Sequence, residues 1–179
     1  MRRFLLVDDE APILSALQRA IRRMKDGDEF EFEVFTNPLD AIKRSGEAPF
    51  DIVISDFRMP QMLGVDFLRI FKEVQPNTTR LLLTASTEFE TIISAVNEAQ
   101  VFKYLVKPWV NSELEENIGL ALAHRDQILE DQRLANALRQ SLDPLSAEQK
   151  EMRALEQEEP GITHVNWAPD GSVRLVDNE

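Results

Sequence analysis

The chain has 179 residues, 43% of them hydrophobic and 29% charged, which suits one sizeable core plus an appendage. It contains no cysteine, which excludes a disulfide framework and a thiolate metal site. Its formal net charge of −12 repels phosphate backbones and argues against nucleic acid as a partner. Only four apolar residues separate Arg3 from Asp8, too few for a signal peptide, and no stretch approaches a membrane span. A soluble cytoplasmic protein without membrane association is therefore expected.

The charge is uneven. Residues 1–110 carry 17 acidic and 14 basic side chains, whereas residues 111–179 carry 15 acidic and 6 basic. A shift of that kind suggests two parts.

In chain order, residues 3–7 form an apolar run that stops at Asp8-Asp9, the pattern of a buried strand. Residues 11–24 place Ile13, Leu14, Leu17, Ile21 and Met24 at helical spacing. Residues 30–35 alternate Phe and Glu, as a strand with one buried face does. Asn37 is placed to cap a helix opening with Pro38. Residues 51–55 read as a strand ending at Asp56, and Gly64 leads into a helix carrying Phe67, Leu68 and Phe71. Residues 80–83 read as a strand ending at Thr84, residues 88–99 as a helix, and residues 101–106 as a strand closed by Lys107-Pro108. Ser112 can cap a long helix with Glu115 completing a capping box, running to about Leu142 before Asp143-Pro144. Ser146 caps a second helix to about Gln157. Residues 162–167 and 172–176, around Pro169-Asp170-Gly171, read as a small β-hairpin.

Five strands alternating with helices imply an α/β fold, a doubly wound five-stranded parallel sheet covered on both faces. Such sheets bind ligands at the carboxyl ends of their strands. Asp8 and Asp9 follow the first strand, Asp56 the third, Thr84 the fourth and Lys107 the fifth, so the chemical groups gather on one edge. Three carboxylates converging there would repel one another. A bound cation resolves this, and oxygen ligands without Cys or His point to Mg²⁺. Lys107 supplies positive charge for a phosphoryl group, the Thr84 hydroxyl can report its presence, and Asp56 can be the nucleophile.

The motifs VDDE (7–10), ISDFRMP (54–60), LLLTAS (81–86) and YLVKP (104–108) resemble those of the receiver domains of two-component response regulators, over about residues 3–125. The resemblance implies a flavodoxin-like receiver that takes phosphate on Asp56 from a sensor histidine kinase or phosphotransfer protein. It implies Mg²⁺ held by Asp9, Asp56 and the backbone carbonyl of Arg58, with Asp8 assisting through water. Lys107, Thr84 and the backbone of the small Ala85 would contact the phosphoryl group. Thr84 and Tyr104 would switch, Arg58 and Ser86 would tune its lifetime, and the Lys107-Pro108 bond would be cis. The wording FRMP with KPW looks like receivers joined to cyclic-dinucleotide phosphodiesterase domains.

The expected organisation is a receiver at 1–125, a helical extension with a possible coiled coil at 126–159, and a β-hairpin tail at 160–179. A leucine stripe (Leu134, Leu138, Leu142) favours a homodimer through the C-terminal helix. The extension has no clustered His or Cys and no Gly-rich loop, so it gives no sign of a catalytic domain, and its acidity argues against a DNA-reading helix. The expected function is therefore a phosphorylation-controlled response regulator acting through a downstream protein partner. The alternative is a tail that acts on a partner enzyme or on cyclic-dinucleotide signalling.

Overall fold

The computed structural model describes residues 1–85, 99–142 and 147–158. Five expectations lie outside the described residues: Ser86, the helix at 88–99 apart from Ala99, the Asp143-Pro144 stop, the Ser146 cap and the hairpin at 162–176. The chain separates into two units, Met1–Gln132 and Arg133–Glu179.

In the first unit, five parallel strands form one sheet in the order β2-β1-β3-β4-β5. They are β1 (Arg2–Val7), β2 (Phe30–Phe35), β3 (Ile52–Asp56), β4 (Thr79–Ala85) and β5 (Lys103–Lys107). Alternating side chains of β1 divide between two cores, as strand geometry requires. Phe4 and Leu6 join Ile52, Ile54, Leu81, Leu83 and Leu105 on one face. Leu5 and Val7 join Val53 and Leu82 on the other. Helix α1 (Ala11–Arg22) covers the first face with Leu14, Leu17 and Ile21. Helices α2 (Pro38–Ser45) and α3 (Gly64–Val74) cover the second, the latter with Phe67, Leu68 and Phe71. Asn37 caps α2 as expected, its Oδ1 accepting from the Leu39 N–H.

Helix α4 (Asn111–Leu142) lays Leu114, Ile118 and Ala121 on the first face. It begins one residue before Ser112, because the Val110 carbonyl accepts the first helical bond, from the Leu114 N–H. Ser112 is thus inside the first turn, which corrects the expected capping box. Polar contacts then tie α4 to the sheet as far as Gln132. Asp126 pairs with Arg2 at 2.7 Å, and Gln132 and Asn77 exchange amide hydrogen bonds. His124 is exposed and stacked on Phe102. Helix α5 (Ala147–Glu158) belongs to the second unit.

β5 starts later than the expected residue 101. Phe102 donates its N–H to the Arg80 carbonyl before the ladder with β4 begins at Lys103. Only Leu105 of this edge strand is buried.

Candidate functional site

The carboxyl ends of β1, β3 and β5 bring three charged side chains together. Lys107 Nζ donates to Asp8 Oδ2 at 2.7 Å and to Asp56 Oδ1 at 2.5 Å. Asp8 is 1% exposed and Asp56 8%, so two carboxylates share one ammonium away from bulk water. Each is also fixed by the backbone. Asp8 Oδ1 accepts from the Glu10 N–H, and Asp56 Oδ2 accepts from the Arg58 N–H. The Ser55 hydroxyl, which sequence reasoning did not single out, donates to the Asp56 carbonyl.

Burial pushes the Asp56 carboxyl above its ordinary value, and the neighbouring Asp8 charge adds to this. The Lys107 hydrogen bond and charge and the Arg58 N–H oppose the rise without cancelling it. Burial alone would lower the Lys107 ammonium, but its hydrogen bonds to Asp56 and Asp8, and their charges, outweigh that and hold it above its usual value.

The turn after β3 closes tightly on Asp56. Gly64 donates its N–H to the Phe57 carbonyl, and Arg58 bridges Leu63. A Cβ at Gly64 would overlap the Asp56 carbonyl oxygen, so glycine is what lets α3 start against the backbone of Asp56. The sequence marks Gly64 only as the start of a helix; its role here depends on a close approach no local pattern encodes.

The three carboxylates expected to converge do not all bond Lys107. Asp8 and Asp56 meet at Lys107, whereas Asp9 is exposed. Among the described residues no group of three or more His, Cys, Asp or Glu side chains is placed to hold a metal. Thr84 lies in β4, 2% exposed, its hydroxyl donating to the Ala85 carbonyl. Tyr104 is 40% exposed on β5, Arg58 is exposed, and the Lys107-Pro108 bond is cis.

Two buried carboxylates against one cation leave the cluster one negative charge in excess. This donor set fits Mg²⁺, which takes one or two carboxylates and completes its shell with other oxygens.

The sequence matches the family model described as the response regulator receiver domain over residues 4–119. The chain belongs to the response regulator receiver family. Receiver domains are in general signalling modules rather than enzymes. They bind Mg²⁺ and are phosphorylated by histidine kinases or phosphotransfer proteins. Among curated relatives, the hydrogenase transcriptional regulatory protein HoxA of Bradyrhizobium diazoefficiens is 34% identical over 118 residues, 66% of this chain and 23% of HoxA. The response regulator protein PilR of Pseudomonas aeruginosa is 29% identical over 143 residues, 80% of this chain and 31% of PilR. The match thus spans less than a third of either relative. Among solved structures, the signal receiver domain of an HD domain-containing protein from Pseudomonas fluorescens superposes with a TM-score of 0.65 at 31% identity, covering 72% of this chain and 92% of that one. A structure titled adenylate cyclase from Rhodopirellula baltica gives 0.68 at 29% identity, covering 75% and 97%. No helix among the described residues of this receiver is long and apolar enough to cross a membrane.

Proposed function

We propose that this receiver accepts a phosphoryl group on Asp56 from a histidine kinase or phosphotransfer protein in the cytoplasm, and signals through contact with another protein. The observation that carries this reading is the pair of buried carboxylates sharing the single ammonium of Lys107. Ionised Asp56 attacks phosphorus through a carboxylate oxygen. The phosphorus–nitrogen bond of a phosphohistidine donor breaks, and the leaving imidazole nitrogen keeps the electron pair and takes up a proton. Mg²⁺, held by Asp9, Asp56 and the Arg58 carbonyl with Asp8 assisting through water, would neutralise charge on the phosphoryl oxygens. Lys107 moves from bonding a bare carboxylate to bonding the phosphoryl oxygens, aided by the Thr84 hydroxyl and the Ala85 backbone.

The readout is a shift between two populated forms. Thr84 turns toward the phosphoryl group, and Tyr104, exposed in the present form, moves inward. Arg58 and Ser86 tune the lifetime of the acyl phosphate.

Output runs through protein contact rather than DNA, since the 15 acidic and 6 basic side chains of residues 111–179 oppose a phosphate backbone. A second copy is one partner, paired through α4, where Leu134 and Leu138 stand 60% and 59% exposed. The likeness to the receiver of an HD domain-containing protein favours a second reading, in which the partner is an enzyme such as a cyclic-dinucleotide phosphodiesterase.

Incubation with acetyl phosphate and Mg²⁺ tests the chemistry. The wild-type chain takes up one phosphoryl group, Asp56→Asn takes up none, and Asp9→Ala labels poorly. Equal labelling of Asp56→Asn removes Asp56 as the acceptor.

A further inference from the structure

A groove of about 400 Å³ runs between α1 and the start of α4. Ala16, Ala20, Met24 and Trp109, all half-buried, make its apolar floor. Arg19 and Arg23 stand exposed beside it, four residues apart and so one turn apart along the helix. Neither has an ion-pair partner among the described residues, although Glu115 also lines the groove. The groove thus offers an apolar strip edged by two uncommitted guanidinium groups.

Helix α5 carries the complementary pattern. Met152 and Leu155 are 52% and 44% exposed and lie three residues apart on one side. Glu151, Leu155 and Glu158 follow the i, i+4, i+7 spacing of a single helix face, so acidic side chains bracket the apolar pair. Arg153, two residues before Leu155, is turned away from that face. The helix sequence has four glutamates against Lys150 and Arg153.

We propose that α5 of a second copy of this chain docks in the groove between α1 and α4. Met152 and Leu155 meet the Ala16, Ala20, Met24 and Trp109 floor, and Glu151 and Glu158 pair with Arg19 and Arg23. The contact rests on the self-association proposed above and adds a reciprocal second surface to it. Because exposed ion pairs supply the register, the contact weakens as salt rises. It also explains how two chains of net charge −12 can approach: the acidic helix of each meets a local surplus of cations on the other.

A charge swap in the full-length protein, read by sedimentation, tests this. Arg19→Glu/Arg23→Glu and Glu151→Arg/Glu158→Arg each weaken association about tenfold, as expected for reversing two pairs at each of two equivalent contacts. An equimolar mixture of the two variants recovers association, because each now carries the charge its partner lacks. Far-ultraviolet circular dichroism and labelling at Asp56 stay at wild-type levels, since none of the four residues touches the phosphoryl site. The proposal is overturned if neither reversal changes association, or if the wild-type chain is monomeric. It is equally overturned if a chain carrying all four reversals associates while the mixture does not, which places the contact within one chain. Leu134→Glu/Leu138→Glu separates the two surfaces. Loss of association there, with no effect of the charge reversals, leaves pairing through α4 standing and removes the groove contact.

Discussion

Two ion clusters in this receiver use the same residue types to opposite ends. Around edge strand β2, Glu33 is held by two guanidinium groups, Arg3 at 2.6 Å and Arg44 at 2.7 Å, with all three side chains between 26% and 35% exposed. At the carboxyl edge of the sheet, two buried carboxylates share one ammonium. In the first, two guanidinium groups face the one Glu33 carboxylate, though they also reach Glu31 at 3.5 Å and Glu47 at 3.3 Å, and the Arg44 hydrogen bond, with the charges of Arg44 and Arg3, outweighs burial and holds the Glu33 carboxyl below its usual value. The second has more anion than cation, and burial drives Asp56 upward. A satisfied pair fixes a strand and a helix in place. An unsatisfied one is, in the function proposed, where a metal ion and a phosphoryl group are taken up.

Substitutions break this comparison at different strengths. Gly64→Ala has the largest effect, because its Cβ collides with backbone rather than with a movable side chain. It lowers stability by about 2–3 kcal/mol in urea unfolding and suppresses labelling of Asp56 by displacing that carboxylate.

Asp56→Asn is next, and its sign is the instructive part. The folded-state pKa of Asp56 is raised, so its ionised form costs stability above that pKa, and the cost vanishes below the ordinary carboxylate value. With Mg²⁺ chelated, Asp56→Asn therefore stabilises the receiver at neutral pH, by on the order of 1–2 kcal/mol. The gain disappears on acidification. A destabilised Asp56→Asn protein at neutral pH would mean that Lys107 satisfies both carboxylates.

Glu33→Gln gives the smallest effect and the opposite sign. A depressed folded pKa contributes stability above the unfolded value and loses it as pH falls through the folded one. Glu33→Gln thus costs about 0.5–1 kcal/mol at neutral pH, modest because the pair is partly solvated. Its unfolding midpoint converges with wild type as pH falls below the ordinary glutamate range. Constant separation of the two curves across that range would show that the substitution acts through packing.

Much of the site is legible in the sequence, because each charged residue directly follows an apolar strand and parallel strands end on one edge. That reasoning puts Asp8, Asp56 and Lys107 together across intervals of 51 and 99 residues. It does not tell Asp8 from Asp9, since a one-residue change of register exchanges the buried and exposed sides. Other features have no local signature. Gly64 is fixed by an approach to Asp56 in three dimensions. The Arg2–Asp126 and Asn77–Gln132 pairs join residues 124 and 55 positions apart, with nothing in either segment to announce the other. The start of α4 falls one residue before the position the sequence pattern marks, because Ser112 and Glu115 satisfy a capping pattern that the Val110 carbonyl pre-empts.

The central claim is that the anion-rich edge, and Asp56 within it, is where phosphate is taken up. Reduction of the phosphodonor-treated protein with borohydride converts an aspartyl phosphate to homoserine, and peptide mapping then locates it. Homoserine at position 56 and at no other aspartate is the predicted result. Homoserine at position 8 or 9, or none after full labelling, would contradict the account.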